Sequence, residues 1–151
     1  MTSSPTPPRF AVVVSQFNPE VTGGLLAGTR HELGERGIPL LDADVFSAPG
    51  AFEIPLLAQT LARSGRYAGV ICLGCVIKGD TAHFEFISLG AATGLMQATL
   101  ATGVPITFGI LTTYTDEQAL VRSRDDAANK GREAATACVE ALATLRKIKA
   151  A

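Results

Sequence analysis

Short apolar or β-branched runs alternate along this chain with longer segments in which apolar residues recur at the period of an α-helix. In segment 21–36, Val21, Leu25 and Leu33 fall on one helical stripe before Gly37. The apolar runs predict four strands, at residues 10–15, 40–46, 70–76 and 106–111. The periodic segments predict helices at residues 21–36, 54–64, 83–102, about 117–124 and about 129–147.

These strands are apolar almost throughout, which is typical of parallel strands that are covered on both faces. Their alternation with helices predicts the α/β class, as a three-layer α/β/α sandwich of the flavodoxin-like type with a four-stranded parallel sheet and helices on both faces. We expect residues 9–151 to form a single domain and residues 1–8, rich in Ser, Thr and Pro, to form a flexible N-terminal tail. Ligands of such folds bind beyond the carboxyl ends of the strands, so the loops after strands are the places to search.

Composition and charge narrow the classes of function. The 151 residues include 13 basic and 14 acidic side chains, so the chain offers no extended cationic surface and we expect no nucleic-acid partner. The longest apolar run, 68–77, is too short to span a bilayer, and residues 1–8 lack the apolar core of a secretory signal. We therefore expect a cytoplasmic protein with no membrane partner, and three cysteines fit a reducing compartment.

The loop after the third predicted strand has the glycine spacing of a phosphate-binding loop. Gly74, Gly79 and Thr81 match that pattern, but Asp80 stands at the position of its lysine and would repel a polyphosphate. A glycine-rich backbone that leads into a helix N-terminus can still hold a smaller anion, such as a single phosphate monoester. Alternatively, the two glycines only permit a tight turn between strand and helix. The sequence of the loop alone does not distinguish an anion-binding loop from such a turn.

His83 lies at the predicted start of a helix, where the positive end of the helix dipole favours a neutral imidazole that can accept a proton. Taken alone, a hydrogen-bonded surface histidine is the more common explanation. The pair Cys72 and Cys75 has the C-x-x-C spacing of redox and zinc sites, but residues three apart in a strand point to opposite faces. His83 and Glu85 lack the cysteine pair that accompanies zinc deaminase motifs, so we expect no metal.

Three aromatic residues follow or lie in different predicted strands. Phe17 follows the first strand, Phe52 and Glu53 follow the turn after the second, and Phe108 lies in the fourth. Their rings could gather at one rim and stack on a flat ligand, although core packing and a helix-start carboxylate explain the same residues. Arg122 and Lys130 belong to a polar stretch whose usual role is a solvated charged surface.

Six short motifs, in this order along the chain, resemble the lumazine synthase family. They are Phe17-Asn18, Pro49-Gly-Ala-Phe-Glu-Ile-Pro55, Leu73-Gly-Cys-Val-Ile-Lys-Gly-Asp-Thr-Ala-His-Phe-Glu85, Phe108-Gly-Ile-Leu-Thr-Thr113, Glu117-Gln-Ala119 and Asn129-Lys-Gly131. The resemblance implies a transferase that condenses 5-amino-6-(D-ribitylamino)uracil with 3,4-dihydroxy-2-butanone 4-phosphate, the penultimate step of riboflavin biosynthesis. The products are 6,7-dimethyl-8-ribityllumazine, phosphate and water, and the resemblance implies no cofactor.

The resemblance also implies a role for each candidate residue. His83 would transfer protons, while Asp80, Thr81 and Arg122 would hold the phosphate, with Arg122 also catalytic. The remaining candidates would bind the pyrimidine and its ribityl chain: Phe17, Ala51, Phe52, Glu53, Cys75, Val76, Ile77, Phe108 and Lys130. Cys75 is expected to contribute mainly its backbone.

Family members form pentamers with active sites between subunits, and some pentamers assemble into sixty-subunit shells, so the resemblance implies at least a pentamer here. It implies that Phe108, Arg122 and Lys130 are donated by the adjacent subunit, and riboflavin synthase is a further partner to expect. Two other interpretations are an archaeal-type riboflavin synthase and a flavin-binding protein that has lost the chemistry. The segment Gly79-Asp-Thr-Ala-His83 disfavours the first, and His83 with Arg122 disfavours the second.

Residues 86–115 contain no Asp, Glu, Lys or Arg. This stretch covers most of the third predicted helix, whose outward face would carry charges in a monomer. We expect that helix to pack against another subunit. The residues predicted for its outward face are Ser88, Ala91, Ala92, Gln97, Thr99 and Thr102.

Overall fold

In the computed structural model, which describes residues 6–151, four parallel strands form one sheet. The strands are β1 (Phe10–Ser15), β2 (Val45–Ala48), β3 (Gly69–Ile77) and β4 (Ile106–Thr113). Their order across the sheet is β2-β1-β3-β4, so the chain leaves β1 in one direction to form β2 and then crosses to its other side to form β3. Such a reversal opens a crevice between the loops that follow β1 and β3.

In the described residues 6–151, five α-helices cover the sheet: α1 (Pro19–Glu35), α2 (Ile54–Arg63), α3 (His83–Thr102), α4 (Asp116–Val121) and α5 (Lys130–Ala150). One core cluster joins α2 and α3 to one face of the sheet, with Ile54, Leu95 and Val13 among its buried members. A second cluster joins α1, α4 and α5 to the opposite face, with Leu25 and Leu73 at its centre. The predicted three-layer α/β/α fold with a parallel sheet is therefore confirmed.

The predicted element boundaries hold to within about three residues except at the second strand. Prediction placed it at residues 40–46, but a 3-10 turn occupies Asp42–Asp44 and β2 runs from Val45 to Ala48. The turn forms there because the buried carboxylate of Asp44 accepts hydrogen bonds from Arg9 and from the Tyr67 hydroxyl, at 2.5 and 2.9 Å. An apolar pattern contains no information about such a contact.

Of the predicted tail, residues 1–5 lie outside the described part of the chain, and residues 6–8 have no regular secondary structure. No helix within residues 6–151 is both long enough and apolar enough to cross a membrane.

Candidate active site

A cavity of about 530 Å³ lies at the carboxyl ends of β1, β2 and β3, beside the first turn of α3. This is the crevice that the strand order creates. It is lined by Phe17, Asn18, Gly50, Ala51, Phe52, Glu53, Cys75, Val76, Ile77, His83 and Ile87. Eight predicted site residues are thus brought together: Phe17, Ala51, Phe52, Glu53, Cys75, Val76, Ile77 and His83.

Asn18 fixes the turn after β1. Its backbone is left-handed, with φ 56° and ψ 60°, and its side-chain amide donates a hydrogen bond to the Cys75 carbonyl at 3.3 Å. This bond ties the loop that carries Phe17 to the end of β3. A Cβ at Gly50 would lie 3.3 Å from the Phe17 ring and 3.2 Å from a Glu53 carboxylate oxygen, so a side chain at position 50 would require these neighbours to shift by a few tenths of an ångström.

The loop after β2 supplies the second aromatic ring and the carboxylate. A 3-10 turn, Ala51–Glu53, leads directly into α2 and leaves Phe52 exposed and Glu53 on the cavity wall. Phe52 also lies against α3, where a Cβ at Gly90 would come within 2.8 Å of its ring. Two exposed rings, Phe17 and Phe52, and one carboxylate therefore border the same cavity.

His83 is the first residue of α3 and lines the cavity. Its backbone N–H donates to the Thr81 hydroxyl at 3.3 Å, so the loop before the helix is tied to the first turn. Asp80 and Thr81 are both exposed and line neither this cavity nor the one described below.

Cys75 and Cys72 contribute no reactive thiol to this cavity. Burial raises the pKa of the Cys75 thiol to about 11, with Asp116 adding a smaller upward effect, and burial also raises the pKa of Cys72. Cys72 lies in the core cluster beside α2 and α3, and Cys75 in the cluster on the other face. The prediction that these residues point to opposite faces is confirmed.

The other three predicted residues border a separate cavity of about 300 Å³ along β4. Phe108, Arg122 and Lys130 line it, and it shares no lining residue with the first cavity. The Lys130 N–H donates to the Arg122 carbonyl at 2.8 Å, and this bond holds the two cationic residues together. The Lys130 ammonium pairs with Glu133 at 2.8 Å, while the Arg122 guanidinium donates to the Gln118 carbonyl at 3.0 Å.

Sequence reasoning assigned no role to Asn129, although it organises this second cavity. Its side chain is buried and makes four hydrogen bonds: it donates to the carbonyls of Gly24 and Arg124 and accepts from the N–H groups of Gly131 and Arg132. The segment from Arg122 to Lys130 is thereby attached to both α1 and α5. An Asn before a predicted helix signals only the cap, and the bonds to Gly24 and Arg124 depend on the tertiary fold.

Within residues 6–151, no three His, Cys, Asp or Glu side chains lie close enough together to hold a metal ion.

Comparison with known proteins adds a family to this geometry. A family model described as 6,7-dimethyl-8-ribityllumazine synthase matches residues 7–146. The chain is 67% identical over 147 residues to 6,7-dimethyl-8-ribityllumazine synthase 1 of Caulobacter vibrioides, an alignment that covers 97% of this chain and 96% of the relative. It is 48% identical to the Salinibacter ruber 6,7-dimethyl-8-ribityllumazine synthase and 44% identical to that of Deinococcus deserti, each over 93% of this chain and 90% of the relative.

Proposed function

This chain belongs to the 6,7-dimethyl-8-ribityllumazine synthase family, and from that membership we propose how its residues carry out the reaction of riboflavin biosynthesis that the family name describes. The enzyme is a transferase. It condenses 5-amino-6-(D-ribitylamino)uracil with 3,4-dihydroxy-2-butanone 4-phosphate and releases phosphate and water.

The pyrimidine substrate binds in the cavity at the ends of β1, β2 and β3. The rings of Phe17 and Phe52 offer flat apolar surfaces for a planar heterocycle, and the Glu53 carboxylate accepts hydrogen bonds from ribityl hydroxyls. Backbone groups of residues 75–77 read the polar edge of the ring, because the Cys75 side chain is buried in the core.

His83 transfers protons. Amine addition, phosphate loss, tautomerisation and ring closure each move a proton, and the His83 imidazole borders the cavity in which the pyrimidine amine would lie. The loop before α3, which contains Asp80 and Thr81, holds the phosphate group together with the Arg122 guanidinium. Holding two reactants together supplies much of the acceleration, so loss of His83 slows turnover rather than abolishing it.

The predicted site residues are divided between two cavities, and this division supports our proposal that each active site lies between two subunits. Phe17, Phe52 and His83 border one cavity, while Arg122 and Lys130 border another with no residue in common. In a ring of identical subunits, the second cavity of one copy faces the first cavity of its neighbour, so each pair of copies completes one site.

The uncharged helix α3 supports the same assembly, although the residues on its outward face differ in part from those predicted. The large apolar residues Phe86, Leu89, Met96 and Leu100 lie outward on α3 and are between 60% and 77% exposed. Of the six residues predicted for that face, Ala91 is buried in the core, and Ser88, Thr99 and Thr102 are half-buried. An apolar stripe of this size in one chain favours burial against other copies, and we propose the pentamer. A sixty-subunit shell and a contact with riboflavin synthase remain predictions.

The unpaired state of the three cysteines supports a cytoplasmic location. Cys72, Cys75 and Cys138 are free and buried, and such thiols persist in a reducing compartment.

Mixed oligomers of two impaired variants, assayed at a butanone phosphate concentration below KM, test both the reaction and the shared site. We expect His83→Ala to lower kcat about ten- to a hundredfold, and Arg122→Ala to raise KM for the butanone phosphate, because each removes one half of the site. When the two variants are co-expressed with different tags and purified together, about one quarter of the sites combine an intact His83 with an intact Arg122 from the neighbouring copy.

Activity is followed as formation of the lumazine chromophore and release of phosphate. Recovery of about a quarter of wild-type activity in the mixed oligomers supports the shared site. Activity no higher than the average of the two single variants would place both residues in one subunit's site. A wild-type protein that forms no lumazine from the two substrates would overturn the proposed reaction itself.

A further inference from the structure

Tyr114 is an exposed aromatic residue in the turn between β4 and α4, outside both cavities. Its side chain is 66% exposed, yet its ring contacts Lys78, just after β3, and Phe84, in the first turn of α3. The Lys78 ammonium lies 5.6 Å from the ring centroid, and the Phe84 ring lies 6.1 Å from it, tilted by 46°. Both separations fall in the attractive range for cation–π and aromatic pairs.

These two contacts lie at the two ends of one functional segment. Between Lys78 and Phe84 the chain contains Gly79, Asp80, Thr81, Ala82 and His83. Asp80, Thr81 and His83 carry the phosphate-binding and proton-transfer roles proposed above.

The middle of the segment has little support of its own. Within residues 6–151, neither Gly79 nor Asp80 makes a hydrogen bond to another residue. The Lys78 N–H donates to the Thr113 carbonyl at 2.9 Å, and Thr81 bonds the backbone of His83. The position of Gly79 and Asp80 therefore depends on how firmly the two ends are held.

Tyr114 is itself well placed to hold those ends. Its backbone N–H donates to the Gln118 side-chain oxygen at 2.9 Å, in the first turns of α4. The Thr115 hydroxyl accepts from the Gln118 N–H at 3.1 Å and caps that helix. The ring therefore extends from a turn that is fixed by α4.

We propose that Tyr114 is a positioning residue for the condensation: its ring clamps Lys78 and Phe84 and so holds the loop that binds the phosphate and leads into His83. This proposal rests on the function proposed above. The Tyr114 side chain touches neither substrate and acts through the loop.

The test compares Tyr114→Ser, which removes the ring, with Tyr114→Phe, which keeps it. Ile148→Ser is the matched control, because Ile148 is also 66% exposed but lies near the end of α5. We expect Tyr114→Ser to raise KM for the butanone phosphate about three- to tenfold, in line with the loss of one cation–π and one aromatic contact. KM for the pyrimidine changes less than about twofold, since Phe17, Phe52 and Glu53 keep their places. Tyr114→Phe and Ile148→Ser behave like the wild type.

Amide hydrogen exchange supplies a readout that does not depend on activity. In Tyr114→Ser, exchange speeds up at the amides of Lys78 and His83, whose hydrogen bonds to Thr113 and Thr81 protect them in the wild type, and stays unchanged at β1 and α5. Tyr114→Phe matches the wild type. Lys78→Met reproduces part of the effect, and adding it to Tyr114→Ser has less than an additive effect, because both remove the same contact.

Unchanged exchange at the amides of Lys78 and His83 in Tyr114→Ser would overturn the proposal, as would an equal rise in KM for both substrates. A failure of the proposed function is distinguishable, because it shows in the wild-type assay, while the exchange experiment still reports on the clamp.

Discussion

Among single residues, Asn18 shows most clearly how a distant contact sets a local conformation. Within residues 6–151 it is the only non-glycine residue with a positive φ, a region that a Cβ disfavours and that Asn tolerates better than most residues. Its amide donates to the carbonyl of Cys75, 57 positions further along the chain. The tertiary contact therefore stabilises the turn that carries Phe17.

Two substitutions of Asn18 separate the strain of its left-handed backbone from the loss of its hydrogen bond to the Cys75 carbonyl. Asn18→Gly and Asn18→Ala both lose the bond to the Cys75 carbonyl, but only alanine adds the cost of a left-handed backbone, about 1 kcal/mol. We expect the alanine variant to be the less stable by that amount, which reverses the usual order of alanine and glycine in a folded chain. Urea unfolding at one fixed protein concentration measures the difference.

An alanine variant as stable as the glycine variant would show that residue 18 relaxes to a negative φ once the hydrogen bond to Cys75 is lost. Gly34→Ala in the exposed part of α1 is the matched control. An added Cβ there meets no other atom, so we expect the alanine variant to be the more stable one, which is the ordinary order of alanine and glycine.

The sequence predicts residue-level features that follow from strand geometry alone. The opposite orientations of Cys72 and Cys75 are such a feature, because alternation along a strand needs no other contact. The left-handed Asn18 and the four bonds of Asn129 are not, since their partners come from other elements. Both residues stand in motifs of the family resemblance, but the pattern of side chains alone supplied no role for them.

Among the helices and strands, the long apolar or periodic segments were predicted well and the short edge strand was not. The bounds of α3 agree with prediction at both ends, because Gly103, with φ 69°, ends the helix in the way that glycine allows. Strand β2 has only four residues, and the Asp44 contacts displace its start. Short elements are decided by such contacts, while long ones are decided by their own pattern.

At the end of α1, where this helix packs on α5, the ion pair of Glu32 with Arg36 makes a contribution to stability that depends on pH. Glu32 accepts hydrogen bonds from Arg36 at 2.8 Å and from the Thr136 hydroxyl of α5 at 3.0 Å. The bond from Arg36 is the main cause that lowers the pKa of Glu32 below its ordinary value, and the bond from Thr136 adds to it. A carboxylate whose pKa is lowered by folding stabilises the fold above its unfolded pKa, and that contribution is lost as the pH falls through the folded pKa.

We therefore expect Glu32→Gln to lower the free energy of unfolding by about 0.5 kcal/mol at pH 7, and the difference from the wild type to vanish in strong acid. The amide oxygen of glutamine still accepts from Thr136, so the variant isolates the effect of the charge. Glu35→Gln is the control, because Glu35 is exposed and forms no ion pair within the described residues. A Glu32→Gln difference that stays constant from pH 7 to strong acid would assign the effect to packing rather than charge.

For the whole molecule, the charge-free segment 86–115 has a specific geometric meaning. Two glycines of α3 allow a close approach to α2 and to the turn before it: a Cβ at Gly94 would lie 2.8 Å from Pro55 of α2, and one at Gly90 would lie 2.8 Å from Phe52. The large apolar side chains Phe86, Leu89, Met96 and Leu100 point away from the fold, whereas Leu95 is buried in the core. Of the six residues that the sequence assigned to the outward face, Ala92 and Gln97 are exposed and the other four are buried or half-buried. The prediction missed the large apolar residues, since it assumed that outward positions are small or polar.

The outward stripe of α3 yields a direct test of the assembly on which the shared active site depends. Leu89→Glu with Leu100→Glu places two carboxylates on this stripe, where burial of each uncompensated charge would cost several kcal/mol and each lost leucine contact about 2 kcal/mol more. Each 1.4 kcal/mol is about a tenfold change in the dissociation constant, so the double variant should sediment as a monomer at micromolar concentration.

The far-UV circular dichroism of the double variant should match the wild type, because both side chains are exposed in the single chain. The monomer should form no lumazine even though His83, Phe17 and Phe52 are intact, since no neighbour supplies the second cavity with Phe108, Arg122 and Lys130. Ile148→Glu, at an equally exposed position on α5, should leave both assembly and activity unchanged. A double variant that stays oligomeric would remove α3 from the interface, and a monomer with full activity would show that one chain holds a complete site.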